Sequence, residues 1–352
     1  MTIAVAISGG IDSLFALLSL KEQGHSVFGL HAHFLPPSME REKALSAMCR
    51  TLSVPFYAVD LSAEFEQGVV QPFLAEYAAA RTPNPCALCN ARMKFGALLR
   101  EAHRLGADRI ATGHYARLCN HPTYGQALLR GADPKKDQSY FLSLVPARQL
   151  AQAVFPLGDT TKDAVRADMA QRGLTPPYPA ESQEICFVPD DAYREFLHAR
   201  QAVDDTPGPI VTTQGQLVGR HTGLWQYTEG QRRGLGIAWS EPLYVIAKQA
   251  ATNTLVVGEK TALVSPGCLM TEYNGLVPHE LWPEDVFVRI RYRQQPMRAT
   301  VTARETPEDN GKRHTFSVRF AEPHTPPAAG QVCCVYDAEG YVLGGGVITA
   351  AL

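Results

Sequence analysis

The chain has 352 residues, 45% of them hydrophobic, and a formal net charge of −2. No apolar run reaches the roughly 18–20 residues that cross a bilayer, and no basic segment leads into an apolar core at the N-terminus, so a cytoplasmic home without a membrane partner is expected. Residues 1–200 carry 20 basic and 20 acidic side chains, and neither later stretch is broadly basic, which argues against non-specific nucleic-acid binding and leaves room only for a local patch.

Strand signals at 3–7, 27–33, 55–60 and 109–112 alternate with helix signals at 13–23, 40–52, 64–80 and 90–105. That βαβα pattern predicts a parallel sheet covered on both faces, whose ligands sit beyond the carboxyl ends of the strands. The first junction is the most informative. Ala6, Ile7, Ser8, Gly9, Gly10, Ile11, Asp12, Ser13 and Leu14 run from a buried strand through a tight turn into a helix. Gly9 and Gly10 let the backbone approach a ligand, and Ser8, Asp12 and Ser13 add hydrogen bonds at the helix start. Free amides and the helix dipole then make an anion site. The loop lacks the Gly-Lys-Ser/Thr ending of the P-loop and the dinucleotide spacing. It resembles the loop of the ATP pyrophosphatase superfamily, which implies adenylation of a carbonyl oxygen.

Further along, Arg81-Thr82-Pro83-Asn84-Pro85-Cys86-Ala87-Leu88-Cys89-Asn90 joins a Pro-stiffened loop to a helix expected to begin near Cys89 or Asn90. A thiol at a helix N-terminus has its thiolate stabilised by the dipole. Half of a zinc site and a redox dithiol are the other readings of Cys-x-x-Cys, although no second such pair exists to complete a zinc site. Cys186 follows in Glu181-Ser182-Gln183-Glu184-Ile185-Cys186-Phe187-Val188, where the apolar neighbours by themselves favour a buried cysteine. Helix is expected at 140–144, 147–154, 162–172 and 192–199, and Asp-Asp-Thr-Pro-Gly-Pro at 204–209 marks a boundary. Three domains are expected: 1–204, a small β-rich module at 205–262, and a C-terminal β-barrel at 263–352. The barrel strands are read at 286–293, 297–303, 313–320, 331–336 and 341–349, with turns at Asn310-Gly311 and Glu339-Gly340. Alternation would place Arg289, Arg291 and Arg293 on one face of the first of these strands, as a local patch for phosphates and a stacked base.

The anion loop, the Pro-Asn-Pro-Cys-x-x-Cys-Asn segment, Ala111-Thr112-Gly113-His114-Tyr115, Lys136-Asp137-Gln138-Ser139-Tyr140-Phe141-Leu142, Ile185-Cys186-Phe187 and Leu343-Gly344-Gly345-Gly346 occur in one order. Together they resemble the tRNA-specific 2-thiouridylase family. The resemblance implies ATP and Mg²⁺ at residues 6–14, with Ala32 and Gly113 framing the nucleotide. It implies adenylation of O2 of the wobble uridine in the tRNAs for Lys, Glu and Gln, followed by sulfur transfer. Asp12, Cys89 and Cys186 match its catalytic positions, with Cys89 expected to take the persulfide and Cys186 to act as its partner. Asn84, Pro85 and Cys86 match the segment meeting the target base; His114, Lys136, Asp137, Gln138, Arg291, Tyr292 and Gln331 match tRNA-contacting positions. A cysteine desulfurase or a sulfur-relay protein is the expected donor. Many members carry Asp where this chain has Cys86. Three thiols, Cys86, Cys89 and Cys186, could instead hold a [4Fe–4S] cluster with one open iron. Two other readings are an ATP pyrophosphatase acting on a different carbonyl and an RNA-binding protein with an inactive loop.

Overall fold

In the computed structural model, residues 1–178, 185–188, 192–308 and 311–352 are described. The N-terminal strands are β1 (Thr2–Ala6), β2 (Ser26–His33), β3 (Phe56–Asp60) and β4 (Arg109–Ala111). A hairpin follows, β5 (Ala116–His121) and β6 (Gly125–Arg130), and then β7 (Ala153–Val154). The sheet is parallel, in the order β3-β2-β1-β4-β7. β1 lies at its centre because its middle residues, Ile3, Ala4 and Val5, are all apolar and need cover on both faces. Ile3 and Val5 point to one face, where they pack with Leu14 and Leu17 of helix α1 (Ile11–Glu22), Leu45, Val165 and Met169. Ala4 points to the other face, towards Phe65, Phe73 and Phe95. Strand order reverses at β1, so the crevice between the carboxyl ends of β1 and β4 is the topological switch point where open α/β sheets bind ligands.

The central unit is a four-stranded sheet of β8 (Gly208–Thr212), β9 (Leu217–His221), β10 (Tyr244–Gln249) and β11 (Thr254–Gly258), in the order β10-β11-β8-β9. The last unit comprises β12 (Ser265–Gly275), β13 (Val286–Arg289), β14 (Met297–Glu308), β15 (Gly311–His324), β16 (Val332–Tyr336) and β17 (Val342–Ala351). They close into a barrel in the order β12-β15-β14-β13-β16-β17. The Gly-Gly-Gly run of β17 has a steric cause. A Cβ on Gly345 would lie 2.6 Å from Ser143 Oγ, one on Gly344 2.7 Å from the Asn274 carbonyl oxygen, and one on Gly346 2.8 Å from that of Thr271. The contacts of Gly344 and Gly346 lie within the barrel, against β12, whereas Gly345 lets β17 close on the Ser143 side chain. Asn274 Nδ2 completes that joint by donating to the carbonyls of Ser143 and Val145 at 2.9 Å each.

Four expectations are corrected. The helix expected over 147–154 stops at Leu150, and Ala153–Val154 joins the sheet, because β4 needs an edge partner: Ile110 N donates to the Gln152 carbonyl and Thr112 N to that of Val154. The helix expected to begin near Cys89 begins at Pro85 and runs to residue 104. The β5–β6 hairpin and β12 are additional. The strand expected over 286–293 ends at Arg289, where Gln294 turns the chain by donating its amide to the Arg291 carbonyl and accepting the Ile290 amide on Oε1. Glu181 to Glu184 and Asn310 lie outside the described residues.

Candidate active site

The anion loop leaves β1 at Ala6. Ile7 is fixed from both sides: its amide donates to the Leu30 carbonyl, and its own carbonyl meets His31 Nδ1 at 2.9 Å. Burial lowers the pKa of His31, so the imidazole beneath the loop is neutral. Gly9 sits at φ +89°, and a Cβ there would lie 2.5 Å from the Tyr178 ring, whose backbone amide donates to the Gly9 carbonyl. Gly10 is the N-cap of α1 and lends no side-chain cap, while Ser13 Oγ donates to the Gly10 carbonyl at 2.8 Å and approaches Ser8. The first amides of α1 therefore keep no side-chain acceptor at the cap, as an anion site requires. Ile11 and Leu14 continue into the helix, Leu14 in the core.

Asp12 is clamped. Lys162 Nζ donates to both of its carboxylate oxygens, at 2.8 and 2.7 Å, and Tyr115 Oη donates to Oδ1 at 2.7 Å. The Lys162 side chain is buried, while that of Asp12 is one-third exposed. Sequence reading missed Lys162, which stands 150 positions away at the start of the helix Lys162–Gln171. Gly113, two residues past β4, sits against the start of α1: a Cβ there would lie 2.9 Å from Asp12 Cβ and 3.1 Å from the Ser13 amide nitrogen. Ala32 lies near the carboxyl end of β2, between buried His31 and His33. Ala6, the loop, Ala32 and Gly113 thus gather around the strand ends beside the switch point.

The thiols are reached from this crevice through His114 and Lys94. Asn84 caps the new helix, its Oδ1 accepting from Ala87 N at 3.1 Å. Pro85 takes the first position, where a missing N–H costs nothing. Cys86 falls in the first turn and is exposed; Cys89 comes a turn later and is only 8% exposed. Burial therefore outweighs the helix dipole that the sequence suggested, and the Cys89 thiol is pushed up to about 12. Cys86 and Cys186 are raised for the same reason, although both reach the surface. The three cysteines influence one another, and Lys94 pulls all three back towards the thiolate. Among the described residues no three His, Cys, Asp or Glu side chains come together as a metal-holding group. The alternative reading, a [4Fe–4S] ligand set of Cys86, Cys89 and Cys186, thus finds no such group among the described residues.

The positions matched to tRNA contact divide into inward and outward groups. His114 is buried, with Nδ1 2.7 Å from Thr112 Oγ1 and Nε2 3.4 Å from Lys94 Nζ. Asp137 is buried too, and its carboxylate takes Arg289 at 2.8 Å, Arg130 at 3.2 Å and the amides of Gly131 and Ser139. Gln138 Oε1 accepts the Tyr115 amide at 3.0 Å, tying this segment to the Asp12 clamp. Arg289 is consumed by Asp137, and Arg291 donates to the carbonyls of Glu229 and Pro326. Arg293 alone of the three arginines is exposed, so the shared basic face is not formed. Tyr292 packs on Phe141 with ring centroids 4.4 Å apart. Lys136 is half-buried. Gln331 Nε2 donates to the carbonyls of Thr82 at 2.9 Å and Pro83 at 3.0 Å. With Thr82 N on the Ala329 carbonyl and Thr82 Oγ1 3.1 Å from Thr228 Oγ1, the loop before Asn84 is gripped by the barrel and the central unit together.

Three family models match in sequence: "tRNA methyl transferase HUP domain" over residues 1–190, "tRNA methyl transferase PRC-barrel domain" over 194–259 and "Aminomethyltransferase beta-barrel domain" over 266–348. A protein of Nitratidesulfovibrio vulgaris named tRNA-specific 2-thiouridylase MnmA is 58% identical, covering 100% of both chains. Proteins of the same name from Oleidesulfovibrio alaskensis and Syntrophotalea carbinolica are 54% and 44% identical, covering 99% and 98% of each chain. An identity of this size over the full length, together with the matching family models, means that the chain belongs to the tRNA-specific 2-thiouridylase family.

Proposed function

We propose that this protein is a tRNA-uridine 2-sulfurtransferase that spends ATP to replace O2 of a tRNA uridine with sulfur, acting on the wobble uridine of the tRNAs for Lys, Glu and Gln. The full-length likeness to proteins named for that activity carries the reading. Two of the matching family models speak of methyl transfer, but an anion loop beside thiols suits adenylation and sulfur transfer.

The chemistry follows from the residues. Uracil O2 is a poor leaving group, and its attack on the α-phosphate of ATP turns it into AMP and frees pyrophosphate. The open amides of α1 and the Ser8–Gly10 turn accept the pyrophosphate charge. Asp12, held by Lys162 and Tyr115, is the carboxylate of the loop that would face a phosphate-bound Mg²⁺, and that ion would neutralise charge on the departing pyrophosphate. Asn84, Pro85 and Cys86 form the rim on which the target base would rest.

For sulfur transfer, exposure favours loading at Cys186, the thiol a donor protein can reach, with Cys89 as its buried partner. This reverses the order expected from sequence. The terminal sulfur of the Cys186 persulfide attacks C2 and AMP departs. Cys89 thiolate then attacks the Cys186 sulfur, releasing 2-thiouridine and leaving a Cys89–Cys186 disulfide for an external thiol to reduce.

The test combines ATP, unmodified glutamate tRNA and a persulfide donor, with iron and sulfide counted on anaerobically purified protein. Iron-free protein that makes 2-thiouridine supports the scheme. Turnover of a free nucleotide or amino acid without tRNA turnover overturns the substrate. Activity that tracks bound iron overturns the persulfide route.

A further inference from the structure

The helical run that carries the thiols changes pitch beside them. Cys86 and Cys89 lie in its α-helical opening, Pro85–Cys89, and Lys94 lies five residues on, in the π-helical stretch Asn90–Ala97. At the α pitch of about 100° per residue, five residues would carry Lys94 roughly 140° away from the Cys89 face. Hydrogen bonds from i to i+5 widen the turn and bring position i+5 back towards position i. Lys94 accordingly acts on Cys86, Cys89 and Cys186 alike.

The ammonium is also held. His114 is buried and its pKa lies well below the ordinary value, so it is neutral and its Nε2 accepts from Lys94 Nζ at 3.4 Å. Its Nδ1–H then donates to Thr112 Oγ1 at 2.7 Å. Thr112 and His114 flank Gly113, which abuts Asp12. Among the described residues no carboxylate is paired with Lys94, and the charged or titratable groups acting on Cys89 are Lys94, Cys86 and Cys186.

We propose that Lys94 is the positioning cation of sulfur transfer: the π-helical stretch turns it to the thiol face, the Thr112–His114 pair holds it, and it stabilises the anionic sulfur of Cys89 and Cys186. The thiols, raised by burial, then have a counter-charge built into the helix that bears two of them. The inference rests on the thiolation scheme above.

The experiment follows iodoacetamide labelling of Cys89 and Cys186 by peptide mass spectrometry, from pH 6.5 to 9.5, in full-length protein without ATP. Lys94→Met is expected to slow labelling of both at pH 7.5 by about tenfold, equivalent to one pH unit, while Lys94→Arg stays within about threefold of wild type. His114→Ala is expected to fall between them, because the ammonium is retained but no longer held. An ATP-induced rise in Tm identifies folded variants; Lys94→Gln replaces the Met variant if the latter does not fold. A wild-type pH profile in Lys94→Met or Lys94→Gln overturns the proposal. So does equal loss in Lys94→Arg, which would mean that shape rather than charge matters. Wild-type protein assayed in parallel for 2-thiouridine separates this failure from failure of the thiolation scheme.

Discussion

Replacing Gly113 with alanine tests whether the β4 loop and the anion loop form one rigid seat. The new Cβ would meet Asp12 Cβ at 2.9 Å, the Asp12 carbonyl carbon at 3.0 Å and the Ser13 nitrogen at 3.1 Å. Optimal carbon contacts begin near 3.5 Å, so about 0.5 Å must be found. Two of the three obstacles are backbone of the first turn of α1, and the third is the root of a side chain clamped by Lys162 and Tyr115. None can swing aside. Overpacking of this kind costs about 1–3 kcal/mol. If the strain is relieved by displacing the turn, the amides proposed to receive the phosphates move with it. A penalty of that size in nucleotide binding raises KM for ATP by about 5- to 150-fold, since each 1.4 kcal/mol is tenfold. KM for tRNA should change little. The assay is 2-thiouridine formation with ATP varied at saturating tRNA, alongside a melting curve. A KM for ATP within twofold of wild type, with an unchanged Tm, would refute the shared-seat argument.

Lys162→Met should leave the Asp12 carboxylate with Tyr115 as its remaining described donor and reduce tRNA-dependent pyrophosphate release at least tenfold, measured by a coupled phosphate assay. Arg289→Met removes one of the two cations on buried Asp137, leaving Arg130, and should destabilise the protein by about 1–3 kcal/mol, read from denaturant midpoints. Limited proteolysis of that variant should cut first at the joint between the barrel and the N-terminal sheet. Burial pushes the Cys49 thiol up to about 11 from 9.0. The folded state therefore holds this proton more tightly than the unfolded chain does, so the contribution is complete below pH 9 and is lost as pH rises towards 11. The Tm should fall over that window, and Cys49→Ala should flatten the fall; a slope unchanged in Cys49→Ala would assign it to other groups.

The parallel sheet was legible because its strands are short apolar runs, each followed by a helical period, and the anion loop because glycine and serine punctuate one such junction. What sequence reading missed depends on distance or on partners. Lys162 belongs to the Asp12 site only after 150 residues have folded back upon α1. Lys94 has the wrong spacing from Cys89 for an α-helix, and the widened turn that corrects it leaves no pattern in the sequence. Ala153–Val154 reads as helix because two residues carry no period of their own, and β4 recruits them for want of an edge partner. Strict alternation at 289–293 suggested one basic face. Arg289 turns inward instead because Asp137, buried among neighbours fixed by the barrel, needs a charge, and no local pattern announces a demand made 152 residues earlier.

The grip of Gln331, Ala329 and Thr228 on Thr82 and Pro83 has a temporal side. A ribosome adding about 5–20 residues per second needs roughly 8–34 s to travel from Lys162, where the last strand of the sheet and the Asp12 clamp have been made, to residue 331. Throughout that interval the sheet and the anion loop can be complete while the loop before Asn84 lacks its far supports. A chain still short of residue 331 carries the anion loop but lacks the contacts that fix Thr82 and Pro83.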